Sequence, residues 1–274
     1  MGAFEEREAT ASGSFLLPSR LGFGGEPMKG VILAAGDGTR LAPLTCQCPK
    51  VLLKVGERAI IDFTLDAFAS VGITDLAIVV GYRGDAVVEW VGDGSDRGLR
   101  IHYLFNPDYK RGNALSLYAT RTFVVDEVFL LSMADHMVSA DLLSRLLAGD
   151  ELNNALAVDF APALRHIQEA TKVLVSPEGL VMGIGKGLSQ WNGVDAGVFL
   201  LTPAIFDAVG ELIKEDKAEY ELSQAIARLI ERGDPLRACD VSGCFWHDID
   251  TLEDLKLATQ MVAGGRDWEN PLRG

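Results

Sequence analysis

Apolar residues fall along the chain as short continuous runs that alternate with helical stripes. The runs at 31–35, 76–80 and 128–133 hold at most one polar residue each, as strands buried on both faces do. Residues 100–105 alternate, as a strand with one face on the core does. Between the runs, Ile61, Leu65 and Phe68 recur at helical spacing within 60–71, and 85–91 and 114–123 read as further helices. Strands alternating with helices predict parallel pairing through right-handed crossovers. In such sheets ligands bind beyond the carboxyl ends of the strands.

The second half is less regular. Residues 155–160, 172–176, 180–185 and 196–202 read as strands, the middle two as a hairpin about Pro177-Glu178-Gly179. Pro203 opens a helix running to about 214, and the amphipathic stretch 221–232 stops at Gly233. Residues 236–241 form a strand, and 245–250 lead into a last helix over 251–262. There Thr251 is the N-cap and Asp254 completes a capping box. The expected organisation is a flexible extension over 1–27, one domain over 28–265 with an insertion in its later half, and a short tail over 266–274.

Composition narrows the functional classes. The 274 residues are 48% hydrophobic, which suits a sizeable core. No apolar run approaches the roughly 20 residues of a membrane helix, so no membrane segment is expected in this chain. A net charge of −14 disfavours nucleic acid and anionic membranes as partners. Residues 1–27 lack the basic start and long apolar stretch of a signal peptide, so a cytoplasmic location is expected. Cys46, Cys48, Cys239 and Cys244 do not have the spacing of a common zinc ribbon or finger, and reduced thiols are the better reading.

The most specific stretch follows the first strand. Leu33, Ala34 and Ala35 end that strand, Gly36 and Gly38 turn the chain, and Thr39, Arg40 and Lys50 are expected to be exposed on the loop. Glycines after a strand let backbone N–H groups converge on a phosphate. Arg40 adds a planar fork and Lys50 a point charge. A P-loop would need Gly-Lys-Ser/Thr where Thr-Arg stands, and a dinucleotide-binding turn would need a third glycine where Leu41 stands. The plain alternative is a tight turn with solvated charges.

Carboxylates stand at the ends of later apolar segments. Asp135 follows 129–133, where a carboxylate is costly unless paired or on a metal; otherwise it, or Ser139, would cap a helix. Asp248 and Asp250, two apart on an extended segment, face one side and either join Asp135 on magnesium or cap the last helix. His136 reads as a substrate contact or a polar wall residue. Asn106 and Gly112, after the strand at 100–105, suit a base edge and a closely approaching ring, or an ordinary Asn-Pro turn. Lys172 and Lys186 are further candidate phosphate binders, Lys186 the better placed of the two at the end of its strand.

The run Gly36-x-Gly38-Thr39-Arg40-Leu41-x-Pro43-Leu44-Thr45 with Pro49-Lys50 resembles the signature of sugar-phosphate nucleotidyltransferases, and the resemblance extends over nearly all of 28–262. It implies an α/β fold whose mixed, mostly parallel sheet is flanked by helices. The glycine loop with Arg40 and Lys50 would hold a triphosphate, Asn106 and Gly112 would read the base, Asp135 and Asp248 would hold Mg2+, and Lys186 would contact the sugar phosphate. Met133-Ala-Asp135-His136, 113–117, Asn192-Gly-Val-Asp195-Ala-Gly197 and Trp246-His-Asp-Ile-Asp250-Thr look like the cytidylyltransferases acting on L-myo-inositol-1-phosphate. That resemblance adds His136, Asp195 and Asp250 as acceptor contacts. It implies CTP and inositol-1-phosphate as substrates, and in many such proteins a fused membrane-embedded CDP-alcohol phosphotransferase. A homodimer stays open. Where the commonest sugar-specific members have Glu-Lys-Pro, this chain has Gly185-Lys186-Gly187, which favours a different acceptor. The alternatives are a cytidylyltransferase for phosphocholine or a related phospho-alcohol, a hexose-1-phosphate nucleotidyltransferase, and a nucleotide-binding regulatory subunit. The last would be expected to lose a metal carboxylate or the loop lysine, and both are present.

Overall fold

The computed structural model describes residues 27–149, 153–163, 167 and 170–264. The extension and tail expected at the two ends therefore lie almost wholly outside the described residues. The central sheet runs β10 (Val181–Gly185), β9 (Lys172–Val175), β11 (Gly193–Leu201), β6 (Phe129–Met133), β1 (Lys29–Ala34), β4 (Asp75–Val80), β5 (Arg100–Phe105). β8 (Ala155–Asp159) pairs with β11, and β12 (Arg237–Asp240) pairs with β8. Strands β6, β1, β4 and β5 are parallel, whereas β11 runs antiparallel to β6, β8 and β9. The sheet is thus mixed and mostly parallel in its first half.

Alternate residues of each buried strand feed opposite layers. Ile32 and Ala34 pack with α1 (Ile60–Ser70), α2 (Gly84–Val91) and α4 (Ala140–Leu147). Val31 and Leu33 pack with α3 (Asn113–Tyr118), α5 (Ala204–Lys214) and α6 (Leu222–Glu231). A third cluster, including Leu41, Phe63, Met137, Ile249 and Ala258, lies where the glycine loop, α1 and α7 (Leu252–Ala263) converge. Among the described residues, no helix is long and apolar enough to cross a membrane.

The helix expected over 114–123 is shorter, because Thr120 returns its hydroxyl to the Leu117 carbonyl and the chain tightens into a 3-10 turn at Ala119–Thr122. Three features lie outside the elements expected from the sequence. Helix α4 is capped by Ser139, whose hydroxyl accepts from Leu142 N–H at 3.3 Å, so Asp135 is not used as a cap. The three-residue strands β7 (His136–Val138) and β13 (Trp246–Asp248) pair antiparallel, with Asp248 opposite His136. A short hairpin, β2 (Lys54–Val55) with β3 (Arg58–Ala59), precedes α1.

Candidate active site

The glycine loop leaves β1 at the carboxyl edge of the sheet and makes one wall of a cavity of about 580 Å3, which residues 33–40 and Lys50 line together. Gly38 adopts φ +62°, and a Cβ there would come within 2.7 Å of the Lys50 Cβ. This glycine is therefore what lets Lys50 pass beneath the loop. Thr45 pins the turn by donating to the Gly38 carbonyl at 2.9 Å. Arg40 stays half exposed. Lys50, expected on the loop surface, is instead buried, at 7% exposure.

Three carboxylates surround the Lys50 ammonium. It donates to Asp135 Oδ2 at 2.8 Å and to Asp250 Oδ1 at 2.6 Å, and lies 3.9 Å from Asp248 Oδ1. Arg40 donates to the other oxygen of Asp250. The backbone explains the meeting: Ile249 N–H donates to the Asp135 carbonyl at 3.2 Å, and the β7–β13 pairing brings the two short strands side by side. Asp254, in the predicted capping box, accepts from Thr251 N–H and Asp250 N–H and so holds Asp250 at the start of α7.

The charges perturb one another. Burial favours the neutral lysine, but Asp135, Asp248 and Asp250 outweigh it and hold Lys50 well above its usual range. Burial likewise opposes the Asp135 carboxylate, and Lys50 and His136 override that and hold it well below the usual range. Burial also works against a charged His136, yet Asp248, Asp135 and Asp195 raise it to about 9. Asp248 goes the other way: burial and the neighbouring Asp135 charge push it up to about 7. Its Oδ1 is sealed from solvent and has no hydrogen-bond partner, although a third of its side chain opens on the cavity. Asp135, His136 and Asp248 offer ligand atoms within 4.8 Å of one another. Buried carboxylate oxygens, one of them orphaned, fit a hard divalent cation.

A second cavity of about 610 Å3 adjoins the first, and Arg40, Asn113, Asp135, Glu221 and Asp250 line both. Lys186, Asp195, His136 and Asp248 line the second. His136 Nδ1–H donates to Asp135 Oδ1 at 2.9 Å, and the ring stacks on Trp246 at 6.4 Å between ring centres. Lys172 stands over Trp191 instead and lines neither cavity.

Asn106 is a correction. It is buried, its amide donates to Ser116 Oγ at 3.0 Å, its carbonyl accepts from Asp108 N–H at 2.9 Å, and it lines neither cavity. Both ends of the amide are used in shaping the loop, and Ser116 reaches the first cavity in its place. Gly112 does line that cavity, but its glycine requirement has another cause. Its φ is +105°, and a Cβ would fall 2.2 Å from the Tyr220 carbonyl oxygen. Here two segments are laced together: Tyr220 N–H donates to Arg111 O, Ala114 N–H to Tyr220 O, and Leu222 N–H to Asn113 Oδ1. Asn113 and Glu221, each lining both cavities, were missed, since each reads from sequence as an ordinary residue at the start of a helix.

The nucleotidyl transferase family matches residues 29–172 of this chain, more than half of it. The chain is 33% identical over 250 residues to the bifunctional IPC transferase and DIPP synthase of Rubrobacter xylanophilus, covering 90% of this chain and 55% of that protein. It is 32% identical to the UTP–glucose-1-phosphate uridylyltransferase of Haloferax volcanii, covering 86% and 96%. The solved structure of the inositol-1-phosphate CTP transferase from T. maritima superposes with a TM-score of 0.74 at 25% identity, covering 86% and 96%. The chain spans about half the length of the bifunctional relatives. The family match over more than half of the chain, with the similarity to a uridylyltransferase along nearly its whole length, places the chain in the nucleotidyl transferase family.

Proposed function

We propose that this chain transfers the cytidylyl group of CTP to the phosphate of L-myo-inositol-1-phosphate, giving CDP-inositol and pyrophosphate. One observation carries the reading: two cavities meet along Arg40, Asp135 and Asp250. One is walled by the glycine loop, the other by Lys186, Asp195 and His136. A nucleoside triphosphate in the first would present its α-phosphorus at the junction, and a phosphorylated acceptor in the second would present its phosphate there. The similarity to an inositol-1-phosphate CTP transferase supports these two substrates.

The acceptor phosphate is ionised at neutral pH, so its oxygen attacks the α-phosphorus without a general base, and pyrophosphate leaves on the opposite side. Catalysis is then positioning and charge stabilisation. The loop N–H groups and Arg40 bind the phosphates that leave, Lys50 sets the charge at the junction, and Lys186 orients the acceptor phosphate. Asp135 and Asp248 would hold magnesium, which when bound offsets phosphate charge and polarises phosphorus.

A second reading has its own support. Seven carboxylates line the second cavity, among them Glu221, Glu253 and Asp254, against the cations of Arg40, Lys186 and His136, and this favours a cationic phospho-alcohol such as phosphocholine. Pyrophosphate release decides, measured with CTP, UTP, ATP and GTP, magnesium, and inositol-1-phosphate, phosphocholine or glucose-1-phosphate. The expected pair is CTP with inositol-1-phosphate. Equal release from CTP and GTP, or preference for another acceptor, overturns the assignment.

A further inference from the structure

The turn from β4 into α2, Gly81-Tyr82-Arg83, lines neither cavity, yet it is laced to the glycine loop along its length. Tyr82 N–H donates to the Ala35 carbonyl at 3.0 Å. The Tyr82 hydroxyl shares its proton between the carbonyls of Thr45 at 3.0 Å and Cys46 at 3.2 Å. Arg83 donates to the same Cys46 carbonyl at 3.1 Å and, through Nε, to the Tyr82 hydroxyl at 3.3 Å. Arg83 takes φ +47°, a left-handed conformation that crowds its Cβ. Gly81 has no room for a side chain: a Cβ there would fall 2.8 Å from the Ala35 carbonyl oxygen and 2.8 Å from Tyr109 Cβ. Tyr109 lines the first cavity together with the glycine loop. A strained turn held by several distant partners points to a use for its geometry.

The influence of the turn reaches the cavity through Thr45. Residues 42–44, 46 and 47 are exposed, so packing does little to hold this arm and the polar grip of Tyr82 and Arg83 does most. The Thr45 hydroxyl donates to the Gly38 carbonyl at 2.9 Å, and Leu41 N–H donates to the same oxygen at 2.9 Å. The Gly38 carbonyl and the Thr39 N–H belong to one planar trans peptide and point opposite ways. Fixing that carbonyl therefore fixes the direction of the Thr39 N–H, at a residue that lines the first cavity. We propose that Tyr82 and Arg83 are positioning residues for the triphosphate: they hold the arm at 42–47, orient the Gly38–Thr39 peptide through Thr45, and so preset the phosphate loop before the nucleotide arrives. This rests on the reading above that the first cavity takes a nucleoside triphosphate. Donors already oriented need no ordering on binding. The effect falls on phosphate rather than on base or acceptor, so inorganic tripolyphosphate isolates it.

The test measures binding of CTP and of inorganic tripolyphosphate, each with magnesium, to the full chain by calorimetry, together with KM for both substrates and the melting temperature. Tyr82→Phe keeps the ring, whose centre lies 6.4 Å from that of Tyr109, and removes only the hydroxyl. It should weaken CTP and tripolyphosphate by the same factor, roughly 5- to 10-fold, leave KM for the acceptor within about twofold, and melt near wild type. Arg83→Gly accepts the positive φ without crowding, so it should weaken both ligands likewise while melting no lower than wild type. A merely structural turn would lose affinity and melting temperature together, and that outcome in both variants overturns the inference. Unchanged affinity for tripolyphosphate in Tyr82→Phe also overturns it, whether or not CTP binding falls. A wild type that binds tripolyphosphate with this dependence on Tyr82, yet releases no pyrophosphate from CTP with any acceptor, upholds the inference and overturns the proposed reaction. A wild type that binds neither ligand overturns both.

Discussion

At the scale of single residues, the site is a balance of charges in which Lys50 is central. Its ammonium faces Asp135, Asp248 and Asp250, so Lys50→Ala leaves three carboxylates repelling one another. Breaking such a network is more damaging than never having built it. Turnover should fall by roughly a hundredfold or more, and the melting temperature should fall with it, partly restored by millimolar magnesium. A variant as stable as wild type would show that the lysine has no structural part. Asp248 behaves oppositely. Its raised pKa means that the folded protein binds a proton there that the unfolded chain releases above about 4. Stability from this group therefore falls as pH rises from about 4 through 7. His136 adds stability that is complete below about 6.5 and lost through about 9. Asp248→Asn should thus raise the melting temperature in EDTA at pH 8, with the gain much smaller at pH 5 and gone near pH 4, while activity with magnesium falls roughly a thousandfold. A gain that is equal at both pH values would remove the titration from the account. Asn106→Ala is expected to lower stability by about 1–3 kcal/mol by stranding Ser116 and the Asp108 N–H, yet to leave the preference among nucleotides unchanged. A changed preference would return Asn106 to the base.

At the scale of elements, the site depends on irregular pieces. The β7–β13 ribbon is three residues long on each side, too short to stand alone, and leans on the third core through Met137 and Ile249. The stitch between 111–114 and 220–222 ties the two cavities into one unit. Gly112→Ala forces a Cβ into the Tyr220 backbone at a positive φ and should destabilise by roughly 2 kcal/mol or more. Because Asn113 and Glu221 move with that stitch, the KM values for both substrates should rise. Denaturant unfolding with steady-state kinetics checks this, and a change confined to the nucleotide would show that the two walls move independently.

At the scale of the molecule, a chain of net charge −14 would, on the proposed reaction, have to take up two anionic substrates. Local cations at the cavity junction, and a divalent ion if Asp135 and Asp248 hold one as proposed, would answer that. Magnesium held at that pair would bind the folded state alone and should stabilise it by mass action. The shift in melting temperature should be larger at pH 8 than at pH 5, since protons compete for the same oxygens. A shift independent of pH would place the ion elsewhere.

Local chemistry is legible in sequence wherever neighbours along the chain make the feature. The buried runs became β1, β4 and β6, the alternating one β5, and the Thr251–Asp254 capping box formed as read. The glycine loop was readable too, because its geometry is set by the residues within it. What lay outside the sequence was each feature made by distant partners. Lys50 became buried because Asp135 and Asp250 lie 85 and 200 residues away. Asn106 turned inward because Ser116 and Asp108 use both ends of its amide. Gly112 is required by Tyr220, and the carboxylates of Asp135 and Asp248 meet through a ribbon with too few residues to show any period. A periodic pattern records which face of an element is buried; it holds no record of which other element buries it, and the meeting of the two cavities is decided there.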